Sequence, residues 1–277
     1  MSADLELVRL ELGNQVDSNR AFLGSDPDVA TRYGLAATTV AGLPCSSCRV
    51  WDSPLFNRAM GAGVLGPLDA DALAAILGNY VQRSRPAHVE VYDGITPPEI
   101  HRVLERGGLA PVEGGLASHI LETDRAPEIA APAAGVTVER CAPAESGEFA
   151  RLVRSGFEAP GELGDFFEAV TRVALERLPA ERVAAFVARV DGVPAGTGML
   201  VLTDRVAGLY SGSVLPAFRG RGLQHQLIAA RVQEGLRLGR RIFVSQTEGD
   251  NASAHNLRDA GFRVLYRAGW WAPAPTT

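Results

Sequence analysis

Lysine is absent from this sequence of 277 residues, so all 27 basic side chains are arginines. With abundant Ala, Gly and Val, that bias implies a GC-rich bacterial genome and says nothing of function. Long apolar runs are missing too. None approaches the ~20 residues that a membrane span needs, which excludes a spanning helix. The opening stretch MSADLELVRLELG is acidic and patterned, unlike a secretory signal. A soluble, cytoplasmic protein is expected. There is no excess of positive charge: 32 acidic residues against 27 basic give −5, which argues against a general nucleic-acid binder. Cysteines number three, at 45, 48 and 141. Cys45 and Cys48 have CxxC spacing, but a zinc site needs four ligands and no second pair exists. The pair follows Gly42-Leu43-Pro44 and leads into Arg49-Val50-Trp51, which reads as a turn between strands holding two reduced thiols. No metal is expected.

What is present is globular: 46% apolar and 21% charged residues suffice for a sizeable core. The length fits two domains at ~150 residues each. The stretch from Thr123 to Gly135 is rich in Ala and Pro, lacks an apolar period and reads as a linker. The expected division is a first domain over 1–124, a linker over 125–135 and a second domain over 136–277. In the second, strands are expected at 136–139, 183–190, 195–202, 206–214, 242–246 and from 261. Helices are expected at 143–153, 165–175, 223–238 and 251–260. In the first, helices at 69–81 and 98–106 flank a strand at 88–92, and a further strand starts at Leu109. The run LERGGL at 104–109 sets over LRDAGF at 257–262, as a duplicated unit would.

The stretch VLPAFRGRGLQHQL, residues 214–227, joins a strand to an apolar helix through a loop of alternating Arg and Gly. Consecutive loop N–H groups and the free N–H groups of a helix N-terminus form a socket for phosphate oxygens. Gly220 and Gly222 let the backbone come close, and Arg219 and Arg221 add charge at the rim. A solvated turn with an exposed Arg pair is the plain alternative.

Val214, Pro216, Arg219, Gly220, Gly222 and Leu223, followed by an apolar helix, closely resemble the acyl-coenzyme-A loop of the GNAT acetyltransferase superfamily. That family's pattern is Arg or Gln, two residues, Gly, one residue, then Gly or Ala. Here it runs Arg219, Gly222, Gln224, so Gln224 replaces the last small residue. Downstream, Asn251 to Phe262 resembles the family's helix after the fifth strand. The resemblance covers Val136 to Trp271, and the first half by outline only.

The fold implied is α/β: two tandem GNAT-like domains, each a mixed, mostly antiparallel sheet flanked by helices. By the same resemblance, Gly212, Ser213 and Val214 would form a splayed strand edge for the pantetheine arm of acetyl-CoA. Arg219, Gly220, Arg221, Gly222, Leu223, Gln224 and His225 would wrap its pyrophosphate, and Asn251 or Ser253 would lie near the pantetheine. The family often carries a Tyr in that last helix as general acid; its position here holds Leu257 or Arg258. The implied reaction is direct attack of a small-molecule amine on the thioester, without an acyl-enzyme. The Val214 N–H would polarise the carbonyl.

Candidates for proton transfer at the strand ends are Glu248, Tyr210 and Ser245. Glu248 could equally be a solvated loop carboxylate, and Tyr210 a core aromatic. His255 reads as a surface residue, and Trp270 and Trp271 as packing residues. The first half has a Gly61-Ala62-Gly63-Val64-Leu65-Gly66-Pro67 loop without basic residues, and Pro97-Pro98 where the second has Asp250-Asn251. It reads as a degenerate domain that forms one wall of the acceptor cleft, with Phe56, Asn57, Arg58 and Tyr92 as contributors. Acyl transfer to a hydroxyl, a longer acyl group, and a non-catalytic coenzyme-A-binding regulatory protein are the alternatives. Homodimer formation is left open.

Overall fold

The computed structural model describes residues 3–24, 26–129 and 131–274. The first half builds α1 (Ala3–Gly24), α2 (Pro27–Tyr33), β1 (Ala36–Val40), β2 (Leu43–Ser47), β3 (Arg58–Ala59), α3 (Ala70–Gln82), β4 (Val89–Tyr92), α4 (Pro98–Arg106) and β5 (Leu109–Glu122). The second builds β6 (Val136–Arg140), α5 (Ser146–Gly156), α6 (Gly161–Arg177), β7 (Val183–Val190), β8 (Val193–Leu202), β9 (Val206–Val214), α7 (Leu223–Arg237), β10 (Ile242–Glu248), α8 (Ala252–Asp259) and β11 (Arg263–Pro273). No described helix is long and apolar enough to cross a membrane.

The chain divides into two compact units, one holding residues up to Ser118 together with those from Val264 onward, the other His119–Arg263. These bounds differ from a division at 124 and 136. β5 runs across the first bound, and β11 belongs to the first unit. There β11 pairs antiparallel with β4, Ala268 opposite Tyr92 and Trp271 opposite Val89.

In the first unit, β1, β2 and β3 pair antiparallel, and β3 runs parallel to β4. The β1–β2 turn falls at Ala41-Gly42, both at positive φ. Cys45 therefore lies within β2 rather than in a turn, and both Cys45 and Cys48 are buried free thiols. The core packs Leu43, Ile76, Tyr80, Val89 and Leu104, with Trp271 against it. Trp270 is buried too, its ring over Gly114.

Helix α1 buries Val8, Leu12 and Val16 but also Glu11, Asn14, Gln15 and Ser18. Glu11 and Gln15 belong to an internal network. Arg58 Nε lies 2.6 Å from Glu90 Oε2, and Arg58 Nη2 donates to Gln15 Oε1 at 2.9 Å. Gln15 Nε2 donates to Glu11 at 2.8 Å and to the Tyr266 hydroxyl at 3.0 Å, and that hydroxyl donates to Glu11. Burial pushes the Glu90 carboxyl up from its ordinary range, and Arg58 opposes the shift. Asn57, Arg58 and Tyr92 are thus interior residues of this unit, not cleft-lining ones. Phe56 packs on Trp51, ring centroids 5.4 Å apart.

In the second unit β6, β7, β8 and β9 form an antiparallel meander, and β9 runs parallel to β10. Val190 and Val193 flank a turn at Asp191-Gly192, where both residues take positive φ. The apolar face of α7 (Leu223, Leu227, Ile228, Val232) packs on Ala188, Leu200, Leu209 and Phe243 to form the core.

Candidate functional site

The site grows from a defect in pairing. Strands β9 and β10 run to Val214 and Glu248, yet they pair only over Val206–Gly208 and Ile242–Val244. On its other side β9 carries a bulge. Thr197 faces Ser213 and Met199 faces Tyr210, so Ser211 and Gly212 together oppose Gly198. Ser211 takes φ 47° there.

Side chains satisfy three successive carbonyls along this stretch. Ser245 Oγ donates to Leu209 O at 3.0 Å. Arg231 Nη1 donates to Tyr210 O at 3.3 Å, and Thr197 Oγ1 to Ser211 O at 3.0 Å. Ser213 Oγ lies 2.8 Å from Thr197 Oγ1 and donates to it, since the Thr proton is engaged. Farther along, Leu215 N–H donates to Ala195 O of β8 at 2.8 Å. Strand alternation then directs the preceding N–H, that of Val214, to the edge which β10 has left.

After β9 the chain makes a 3₁₀ turn over Pro216–Phe218 and reaches the Arg/Gly loop. Arg219 turns back toward the end of α5. Its Nε donates to Val214 O at 3.3 Å, and its Nη2 lies 2.6 Å from Glu158 Oε2 and 3.5 Å from Gly156 O. It ties the loop to the α5–α6 connection instead of standing at the rim. Gly220 and Gly222 take φ of 76° and 73°, and a Cβ at either would meet nothing within 4 Å. Gly222 is the N-cap residue of α7 and provides no side-chain cap. Among the described residues, no group accepts from the backbone N–H of Gly220, Arg221, Gly222, Leu223, Gln224 or His225. Six N–H donors therefore stand open where the helix dipole adds partial positive charge.

Beside them lies a cavity of about 410 Å³. Arg221, Gly222, His225 and Gln226 line one side, Ile129 and Pro132 of the connecting segment another. The Arg221 guanidinium stacks 5.7 Å over the Phe218 ring, and His225 Nε2 lies 3.4 Å from Asp259. Gln224 is half-buried and Leu223 sits in the core.

Of the remaining residues that the sequence singles out, Glu248 is exposed at the end of β10 and Tyr210 is half-buried on β9. Ser245 is buried with its hydroxyl engaged. Asn251 caps α8, accepting from Ala254 N at 3.0 Å and donating to Glu248 O at 3.0 Å. Ser253 is exposed on that helix. Leu257 belongs to the core, and Arg258 bonds Asp250 at 2.7 Å, so neither stands in for a Tyr acid. Arg258, foremost, and His255 hold the Asp250 carboxyl below its ordinary range. Among the described residues no group of three His, Cys, Asp or Glu is arranged to hold a metal ion.

Three participants escape a reading of the sequence: Thr197, Glu158 and Arg231. Arg231 had a legible signal. It falls on the apolar face of α7, between Leu227, Ile228 and Val232, where a charge has no ordinary place.

The chain is similar to known proteins in both sequence and fold. A sequence profile described as "Acetyltransferase (GNAT) family" matches residues 150–262. Aminoglycoside N(6′)-acetyltransferase type 1 of Salmonella typhimurium is 35% identical over 102 residues, spanning 33% of this chain and 70% of that protein. Among solved structures, a GCN5-related N-acetyltransferase from Kribbella flavida superposes with a TM-score of 0.64 at 20% identity, covering 89% of this chain and 91% of the other. A tandem GNAT protein from the clavulanic acid biosynthesis pathway gives a TM-score of 0.60 at 16% identity, covering 97% of each chain. With that profile, that relative and this doubled fold in agreement, the chain belongs to the GNAT acetyltransferase family and is an acyltransferase with a tandem arrangement.

Proposed function

We propose that the second unit binds acetyl-coenzyme A and transfers its acetyl group to a primary amine of a small molecule. The observation that carries this reading is the run of six open N–H donors from Gly220 to His225, at the mouth of a cavity and beside the parted strands. Phosphate oxygens suit such a donor set. The pyrophosphate would sit against Gly220–His225 with Arg221 at its rim, and the pantetheine arm would lie along Gly212–Val214 in the gap left by β10. Asn251 and Ser253, at the start of α8, would flank that arm.

The Val214 N–H would face the thioester carbonyl and stabilise negative charge as it develops there. The amine nitrogen would attack the carbonyl carbon while the C–S bond breaks and the thiolate leaves. The ammonium proton would pass through a water to Glu248, the exposed carboxylate at the end of β10, with Tyr210 the second candidate. The Ser245 proton is already held by Leu209 O, so its role is to shape the strand.

The acceptor side is the α5–α6 connection. Phe157 is 46% exposed and stacks on Phe167 at 5.6 Å, with Glu158 and Glu162 exposed nearby. An aromatic face beside the Glu162 carboxylate suits a cationic, partly apolar amine. The similarity to an aminoglycoside acetyltransferase makes amino sugars the first acceptors to try. The reading is of a bacterial, cytoplasmic enzyme.

Calorimetric titration of acetyl-coenzyme A into the wild type and into Gly222→Glu tests the coenzyme site. Binding is expected in the first and its loss in the second, because the carboxylate fills the socket and repels phosphate. Thiol release across a panel of amines then tests transfer. Release with alcohols alone, or only from longer acyl thioesters, would replace the amine or the acetyl group in this reading.

A further inference from the structure

Arg231 is 3% exposed, and no carboxylate among the described residues pairs with it. Its hydrogen-bond partners are two carbonyls: Leu227 O in its own helix, at 2.9 Å from Nε, and Tyr210 O on β9, at 3.3 Å from Nη1. Burial alone pulls its pKa down to about 9. A buried charge without a counter-charge is costly, and few folds keep one without a use for it. Two glycines make the room. A Cβ at Gly198 would lie 2.8 Å from Arg231 Nε, and one at Gly212 would lie 3.5 Å from both Nη atoms. Gly198 and Gly212 are the residues that face each other across the bulge. The guanidinium therefore lies directly over the irregularity in β9.

Where β10 parts from β9, Leu209 O loses its ladder partner and Ser245 replaces it. At the bulge, Arg231 adds a donor to Tyr210 O, which alternation turns toward β8, and Thr197 of β8 takes Ser211 O. Of the three, only Arg231 reaches across from another layer, and its rigid fork holds strand and helix together. The carbonyl it fixes belongs to the peptide whose N–H is that of Ser211, the positive-φ residue of the bulge. From there the chain runs through Gly212 and Ser213 to the N–H of Val214.

We infer that Arg231 is a positioning residue for acyl transfer: by holding Tyr210 O it sets the bulge that aims the Val214 N–H at the thioester carbonyl. This rests on the coenzyme reading above. Its donor loop, Gly220–His225, is not touched by Arg231, so coenzyme affinity and carbonyl polarisation are separable.

The test uses the full chain and acetyl-coenzyme A carrying ¹³C at the thioester carbonyl. Affinity is measured by calorimetry and carbonyl polarisation by isotope-edited infrared spectroscopy. In the wild type, bound acetyl-coenzyme A should show its carbonyl band at lower frequency than in water. Arg231→Met should bind within about threefold of the wild type, with the band returned toward its position in water. Arg231→Lys keeps the charge but has a single donor nitrogen, and should give a band between the two. A wild-type band in the variants would overturn the inference, as would a loss of affinity with no change in the band. If the Met variant does not fold, the Lys variant decides by the same criterion. A wild type that fails to bind acetyl-coenzyme A at all would remove the coenzyme reading and this inference with it, before any substitution is compared.

Discussion

Each unit contains a strand, a glycine-rich loop, a helix and a second strand parallel to the first: β3, α3 and β4 in one, β9, α7 and β10 in the other. The two loops have opposite interiors. In the first, Val64, Leu65 and Gly66 donate back to Gly61 O, Gly63 donates to Gly66 O, and the Tyr92 hydroxyl accepts from Gly61 N. Asp69 caps the helix at Ala72 N. A Cβ on Gly61 would lie 2.6 Å from Leu65, and one on Gly63 2.5 Å from Pro97. In the second loop the glycines face open space, and six N–H groups await a partner. One chain thus holds a closed and an open form of a single device. Glycine identity does not separate them. What separates them is whether the chain's own carbonyls and side chains have filled the socket.

That contrast predicts that substitutions in one loop change stability and those in the other change binding. The largest effect is expected from Gly222→Glu, which should weaken acetyl-coenzyme A by about 100-fold or more, roughly 2.7 kcal/mol, while its positive φ costs only about 1 kcal/mol in urea unfolding. Next, Gly63→Ala combines positive φ with a collision at Pro97 and should lower unfolding free energy by about 2–4 kcal/mol. Its coenzyme affinity should match the wild type. An affinity loss in step with the stability loss would erase the distinction between the loops. Asp69→Ala removes a cap that α7 never had, and should cost about 1 kcal/mol in urea unfolding with calorimetric binding unchanged.

The smallest effect separates the thiols. Burial raises both Cys45 and Cys48, the first to about 11. Cys141 is also pushed up to about 11 but is only half-buried. Slow alkylation by iodoacetamide at pH 8, followed by peptide mass mapping, should find Cys141 first and the CxxC pair only after denaturation. Early labelling of the pair would mean that the first unit opens more readily than its packing implies.

Much of this was legible in the residues. Strands β7 and β9 and helix α4 have the expected bounds, because the apolar pattern is clear in each, Asp191-Gly192 closes β7, Pro216 follows β9, and Pro98 and Gly107 bound α4. The Arg/Gly loop was legible as a socket because its chemistry lies in consecutive backbone groups. Helix α1 was not, since Glu11, Asn14, Gln15 and Ser18 occupy buried positions and break the apolar period. The CxxC pair reads as a turn because Pro44 and the serines disguise β2, whose turn falls at Ala41-Gly42. Arg219 reads as a rim charge, yet its partner Glu158 lies on another element, and no local pattern announces a contact so distant in sequence. The acceptor is illegible for the same reason: its candidate surface is a loop between two helices, not a motif.

The pairing of Tyr92 with Ala268 has a consequence in time. Domains usually fold in the order they are synthesised. Here strand β4 leaves the ribosome early, but its β11 neighbour is made only after the whole of His119–Arg263. The unit begun first is therefore finished last. Until then the β4 edge is exposed, the kind of edge that recruits other chains. Deleting β11 should harm the unit whose other strands lie farthest from it in sequence.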